Sequence, residues 1–329
     1  MKPAAIDGHG RFPCVSWSIS RCHIGSKSRL LDSYATACQP SANNLVGIPV
    51  RTADTLVVLA TYNEQGNIGL LLDHLLAVPA QLDILVVDDS STDGTTAIVT
   101  GRMASDPRIR LIVRPRKLGI GSAHKLGWVV ARGSSYSRIV TLDADLSHDP
   151  GDLLKLIEAL DAGADVAIGS RFIHGGKLDY RGWRLFLSRA ANRLARIVLK
   201  MPLFEYTTSF RAARLDRIPI GLVETLPSDG YGFFMTCAVR FVRSGVVVME
   251  VPIYFRKRHS GRSKIPPLEI LRGGFVLLCL AICRRPPKIF TLRAPIGNCS
   301  SCGQPYLTST APGRARCLVC LHSTTQMRC

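Results

Sequence analysis

Arg138-Ile-Val-Thr-Leu-Asp143-Ala-Asp145-Leu-Ser-His148 decides the reading of this chain: a run of strand length that ends abruptly in two carboxylates. An apolar, β-branched run of this kind predicts a strand buried on both faces. Upstream, Thr55-Leu-Val-Val-Leu-Ala60 and Leu82 to Val87 have the same character, and each also stops at polar residues. Tyr62 and Glu64 follow the first, and Asp88-Asp89 follow the second. Ile109 to Val113 and Ala164 to Ile168 read as further strands, and Val246 to Phe255 is a sixth apolar run. Helical periodicity separates them: Ile68, Leu71, Leu72 and Leu75 share one face, a helix is expected from about Gly121 to Ala131, and another surrounds Ile157. Such alternation predicts an α/β fold with a doubly wound, mostly parallel sheet. Sheets of this kind bind ligands outside the strand C-termini, near a switch in strand order. The polar residues cluster at those ends, which argues for one site.

The rest of the composition bounds the class. At 329 residues with 47% hydrophobic and 20% charged side chains, the chain can bury an enzyme-sized core, which excludes wholesale disorder. The longest charge-free apolar run, Gly273 to Cys283, falls short of the ~20 residues of a spanning helix, and no secretory pattern opens the chain. Twelve of the eighteen excess positive charges fall in residues 256–329, which points to an anionic partner: phosphates, anionic lipid or nucleic acid. We expect three regions: a poorly ordered leader over 1–50, a catalytic domain over 51–285, and a linker with a small cysteine module over 286–329. In that module Cys299-x-x-Cys302 and Cys317-x-x-Cys320 have the spacing of a zinc ribbon holding one structural Zn²⁺. The remaining cysteines are scattered, as in a reducing compartment.

Two carboxylates at a strand end suit Mg²⁺ or Mn²⁺, which take their other ligands from water and phosphate oxygens. Asp143 and Asp145 are the expected ligands, with Ser147 and His148 completing or orienting the shell; a solvated turn that caps the helix beginning at Asp149-Pro150 is the alternative. Gly119-Ile-Gly121 opens a helix whose amides could meet an anion. A dinucleotide fingerprint would need a third glycine where His124 stands, and no P-loop is present, so dehydrogenase and P-loop chemistry are poor readings.

Taken together, Ala60-Thr-Tyr-Asn-Glu64, Val87-Asp-Asp89-Ser-Ser-Thr-Asp-Gly94, Asp143-Ala-Asp145-Leu-Ser-His148, Gly169-Ser-Arg171, Ser188-Arg189-Ala-Ala-Asn192, Ser209-Phe-Arg211 and Arg258-His-Ser-Gly-Arg-Ser-Lys264 resemble the inverting glycosyltransferases of the dolichol-phosphate mannose synthase type. The resemblance spans about residues 54–280 and implies a GT-A fold. It implies that Ala60, Tyr62, Glu64, Val87 and Asp89 line a nucleoside pocket, with Ala144 beside the donor. Asp143 and Asp145, helped by Ser147, would hold the metal on the diphosphate. Arg258 and Lys264 would close over the donor phosphates, and Arg171 and Arg189 would receive a lipid phosphate. Asp145, Arg171 and Arg189 are thus the expected catalytic residues. A phosphomonoester acceptor is already largely ionised near neutral pH, so it needs alignment more than a general base. Direct displacement would give a β-linked product from an α-linked donor. The chain departs from the family pattern in places: Ala60 replaces Pro, Glu205-Tyr-Thr-Thr208 replaces Asp-x-Thr-Gly, Phe234 and Thr236 replace Gln and Glu, and Arg262 replaces Glu.

The expected reaction is therefore transfer of mannose from GDP-mannose to a dolichyl or polyprenyl phosphate. The alternatives are a UDP-sugar such as UDP-glucose on the same lipid class, or a nucleic-acid-binding zinc-ribbon protein with an inactive transferase domain. Nucleic acid is the weaker partner, because only Phe290 and Tyr306 follow Phe275 as aromatics for base stacking. The expected location is cytoplasmic and peripheral at the membrane, with room for a membrane-embedded partner subunit. Wound as a helix, residues 183–201 gather Phe186, Leu194 and Ile197 with other apolar residues on one face, and Arg189, Arg193, Arg196 and Lys200 on another. Such a helix can lie in the headgroup plane or pack as core; Gly273 to Cys283 is a second contact candidate.

Overall fold

The computed structural model describes residues 52–179, 182–261 and 267–283, with three short strands between 306 and 324. The leader expected over 1–50, Lys264, Cys299, Cys302 and Cys320 lie outside the described residues. From Thr55 onward the described chain alternates as its apolar pattern requires. Strand β1 (Thr55–Thr61), helix α1 (Gln65–Leu76), β2 (Leu82–Asp88), α2 (Thr95–Ser105), β3 (Ile109–Val113), α3 (Ile120–Gly133) and β4 (Arg138–Asp143) follow in turn. Next come α4 (Leu153–Asp161), β5 (Val166–Ser170), β6 (Lys177–Leu178), α5 (Trp183–Leu199), β7 (Arg211–Arg214), α6 (Gly232–Ser244), β8 (Val248–Pro252), β9 (Tyr254–Phe255) and α7 (Pro267–Ile282).

Among the described residues the main sheet has seven strands in the order β3-β2-β1-β4-β7-β5-β8. All neighbours are parallel except β7, which runs antiparallel between β4 and β5. The sequence pattern does not announce β7, because Arg-Ala-Ala-Arg carries too little apolar bulk to read as a strand. The chain runs outward from β1 to β3 and then returns to the other side of β1 as β4. That reversal opens the crevice at the C-terminal ends of β1 and β4.

The sheet is covered on both faces, and β1 shows why. Val57 and Leu59 join Ile68, Leu71, Leu72, Val99 and Leu156 from α1, α2 and α4 in one layer. Leu56 and Val58, pointing the other way, join Trp128, Phe233 and Phe241 from α3 and α6 in the second layer. The fifth strand begins two residues later than its apolar run suggests, because the backbone N–H of Ala164 still bonds to Ala159 at the end of α4. The run from Val246 to Phe255 divides into β8 and β9, with Pro252 closing the first ladder. Helix α5 packs against α7. No described helix is long and apolar enough to cross a membrane. Separately, β10 (Tyr306–Thr308), β11 (Ala315–Cys317) and β12 (Ser323–Thr324) form a small antiparallel sheet.

Helix α3 approaches β1 closely at Gly127, where an added Cβ would overlap the methyl groups of Val58. Gly127→Ala should therefore lower stability, by roughly 1–3 kcal/mol for an overpacked core, despite the better helix propensity of alanine. Urea denaturation checks this: a stabilised or unchanged midpoint would mean that α3 is free to shift.

Candidate active site

The loops after β1 and β2 are stitched together before either can bind anything. Asp88, fully buried, accepts hydrogen bonds from Thr61 Oγ1 (2.8 Å), Ser91 N (2.7 Å) and Ser91 Oγ (2.6 Å). Asn63 sits in the left-handed region at φ 55°, and its side chain accepts from Thr92 N (2.9 Å). Of the Asp88-Asp89 pair, the first is thus a loop organiser. Asp89 accepts from Leu118 N (3.2 Å) and Gly119 N (3.0 Å) and forms a buried ion pair with Arg114. Burial pushes its carboxyl up, while Arg114 and the two amides act in the opposite direction. Tyr62 lies beside this loop under the Lys117 ammonium, 4.0 Å from the ring centre. Ala60 and Tyr62 are partly exposed, whereas Val87 is wholly buried in the core.

The helix opened by Gly119-Ile-Gly121 does not present its first amides to the crevice. Gly121 N (2.8 Å) and Ser122 N (3.3 Å) donate to the Asp229 carbonyl. A Cβ at Gly121 would overlap Phe233 and the Asp229 backbone, so close packing against the start of α6 explains the glycine.

At the end of β4, Asp143 stands opposite Ala60 in the register with β1. Its Oδ1 accepts from Ser209 Oγ (2.7 Å), and its backbone N–H donates to His148 Nδ1 (3.2 Å). Burial first, and then the neighbouring Asp145 charge, push the Asp143 carboxyl well above the usual carboxylate range. Leu146 takes φ 62°, which turns the chain back so that Ser147 N donates to Asp145 Oδ1 (2.9 Å). Ala144 is buried beneath the pair. The second Asp145 oxygen meets Arg258 Nη2 at 2.9 Å, and Arg258 Nη1 donates to Glu64 at 3.0 Å. Arg258 therefore bridges Asp145 to Glu64, and its segment is fastened by His259 N on the Asp145 carbonyl (3.2 Å).

These residues fit an oxygen-seeking divalent ion. Two carboxylates crowd one strand end, and Ser147 Oγ is buried without a hydrogen-bond partner. Among the described residues no third His, Cys, Asp or Glu completes an all-protein cage, and a Mg²⁺-like ion bound through substrate phosphates does not need one. His148 is fully buried and pushed down to about 3 by that burial, so it is neutral. With Nδ1 accepting from the Asp143 amide, its proton sits on Nε2, which faces Thr208 Oγ1 at 3.3 Å.

Arg171, just past β5, is brought to the same end of the sheet. Its Nε and Nη2 each donate to the Glu205 carboxylate at 2.8 Å, and Nη2 also reaches Thr207 Oγ1 at 2.8 Å. Asn192 of α5 ties that helix to the same loop by accepting from Tyr206 N (2.8 Å). Arg189, one turn earlier on α5, is exposed. The structure thus brings together Glu64, Asp143, Asp145, Arg171 and Arg258. The reading of the sequence passed over Arg114 and treated Glu205 only as a departure from a motif.

Residues 56–217 match the model of the family described as glycosyl transferase family 2. The chain is 41% identical over 231 residues to a polyprenol monophosphomannose synthase of Mycolicibacterium smegmatis, covering 68% of this chain and 85% of that one. The chain belongs to glycosyl transferase family 2. The transferase is also 38% identical over 224 residues to an undecaprenyl-phosphate mannosyltransferase of Micrococcus luteus, covering 67% of this chain and 88% of that one. Its fold resembles that of glucosyl-3-phosphoglycerate synthase from Mycobacterium tuberculosis, solved with Mn²⁺, UDP and glucosyl-3-phosphoglycerate. The TM-score is 0.51 at 20% identity, over 80% of this chain and 87% of that one. Mostly parallel sheet, switch-point crevice and family together make this chain a glycosyltransferase of GT-A-like fold.

Asp145→Asn keeps the size of the side chain and its bond from Ser147 N while removing the charge. Turnover should fall by at least about 10²-fold, as when one electrostatic group is lost from a preorganised site. The urea midpoint should stay near that of the parent. Near-normal turnover with a folded variant would remove Asp145 from the chemistry.

Proposed function

We propose that this transferase moves mannose from GDP-mannose onto a polyprenyl phosphate of the dolichyl or undecaprenyl class, with inversion at the anomeric carbon. The observation that carries the reading is the identity of 41% and 38% to two relatives whose names both specify a mannosyl group and a polyprenyl phosphate. The site chemistry supports it: carboxylates stand at the end of β4 for the donor side, and arginines stand just past β5 and on α5 for an anionic acceptor. In this reading Asp143 and Asp145, with Ser147 beside them, hold Mg²⁺ or Mn²⁺, which neutralises charge developing on the leaving diphosphate. Arg258 and Lys264 close over the donor phosphates, and Ala60, Tyr62, Glu64, Asp89 and Ala144 surround the nucleoside side, with the buried Val87 behind them in β2. Arg171 and Arg189 align the acceptor phosphate, whose own oxygen is the nucleophile.

A lipid acceptor requires access to a bilayer, and the pair α5–α7 suits that role. Phe186, Leu194 and Ile197 on α5 and Leu271, Phe275, Leu278 and Ile282 on α7 are all more than half exposed. Arg189, Arg193, Arg196 and Lys200 lie exposed beside the first set. Apolar side chains bordered by cations favour the interface of an anionic membrane, so we place the enzyme peripherally at the cytoplasmic face. The four paired cysteines, Cys299, Cys302, Cys317 and Cys320, are proposed as a Zn²⁺-binding ribbon with no part in sugar transfer.

Incubation with GDP-mannose or UDP-glucose, polyprenyl phosphate and Mg²⁺, followed by mass analysis of the lipid, tests the reading. GDP-mannose should yield polyprenyl phosphate carrying one hexose. Turnover should stop with EDTA and resume with added Mn²⁺. Product from UDP-glucose alone would move the enzyme to the glucosyl reading, and no lipid product from either donor would contradict it.

A further inference from the structure

We infer that Glu205 is a positioning residue for the acceptor: it holds Arg171 in the orientation that receives the acceptor phosphate and fixes that arginine relative to Asp143. The inference rests on the proposed role of Arg171 and adds to it a residue that never touches substrate. Glu205 has no solvent exposure, and the Arg171 side chain is only 10% exposed. Two parallel hydrogen bonds of 2.8 Å from Nε and Nη2 define the plane of the guanidinium, which one contact could not do. Phe255 adds a face to that arrangement, 4.9 Å from the guanidinium carbon. Burial alone would raise the Glu205 carboxyl; Arg171 and the amide of Thr207 outweigh it and hold the group below its ordinary value, so it stays ionised.

The same carboxylate organises its own loop, and that loop leads back to the metal-side carboxylate. Oε1 accepts from Thr207 N (2.9 Å), Thr207 Oγ1 (2.8 Å) and Thr208 N (3.2 Å). The next two residues then reach across: Thr208 Oγ1 meets His148, and Ser209 Oγ donates to Asp143. His148 lies against Phe255 at 4.9 Å between ring centres, on the ring that also stacks with Arg171. One buried acid therefore sets both the aim of Arg171 and the path of the segment that braces Asp143. The two departures from the Asp-x-Thr-Gly pattern belong together here. Glu205 supplies the reach to Arg171, and Thr208 supplies a hydroxyl for His148 that glycine lacks.

Steady-state kinetics with each substrate varied in turn, on Glu205→Gln, Glu205→Asp, Arg171→Gln and the double variant, test the inference. Glu205→Gln should raise the acceptor KM about tenfold or more, a loss of about 1.4 kcal/mol or more in acceptor binding, with the donor KM within about twofold of the parent. Glu205→Asp, which keeps the charge, should recover part of that loss. Where Glu205→Gln fails to fold because it strands the Arg171 charge, the double variant removes the pair together. Its acceptor KM should equal that of Arg171→Gln alone. An unchanged acceptor KM in folded Glu205→Gln, or a double variant markedly worse than Arg171→Gln, would overturn the inference. An unchanged acceptor KM in Arg171→Gln would instead overturn the proposed role of Arg171 itself.

Discussion

The parallel register of β1 with β4 is the constraint on which the catalytic end depends. Because Ala60 stands opposite Asp143 on one side and Val87 on the other, three loops leave the sheet at one level. The carboxylates, the aromatic ring of Tyr62 and the Asp89–Arg114 pair are near one another only because of that shared level. Strand β7 then enters antiparallel beside β4, which sends the preceding loop, residues 205–209, across the same strand ends. The hydrogen bond from Ser209 to Asp143 is where the two halves of the site are joined.

Electrostatics follows the same plan. Three cations at this end have acid partners: Arg114 with Asp89, Arg171 with Glu205, and Arg258 with Asp145 and Glu64; the buried Arg211 instead donates to the Thr208 and Tyr206 carbonyls. Breaking one partner of such a pair costs far more than the pair contributes to stability, so these pairs serve geometry. Other cations lie on the surface. The exposed cations of α5 lie beside exposed apolar side chains of the same helix.

Much of the fold was legible because the strands are buried on both faces, and continuous Val, Leu and Ile runs have few other uses in a globular chain. The polar stops at Asp89 and Asp143 marked the candidate site for the same reason. Strand β7 was hidden, since two alanines between arginines carry no periodic signal. Glu205 was hidden more deeply: its partner lies 34 positions away, and a lone acid among Phe, Tyr and Thr looks like loop. Only its departure from a family motif marked it. Gly119-Ile-Gly121 misled for a physical reason, because glycine serves close packing as readily as it serves a phosphate. The single apolar face expected along 183–201 also divides: Val198 and Met201 pack against the core, while Phe186, Leu194 and Ile197 remain exposed.

The central claim is that donor and acceptor meet in one step across this single crevice, with no enzyme-bound sugar between them. The configuration of the product tests it most directly. Nuclear magnetic resonance of the sugar–phosphate lipid formed from an α-linked nucleotide sugar should show the β anomer, because one displacement inverts the reacting carbon. An α-linked product would mean retention, and the proposed arrangement, with an acceptor phosphate aligned opposite the leaving diphosphate, would be contradicted.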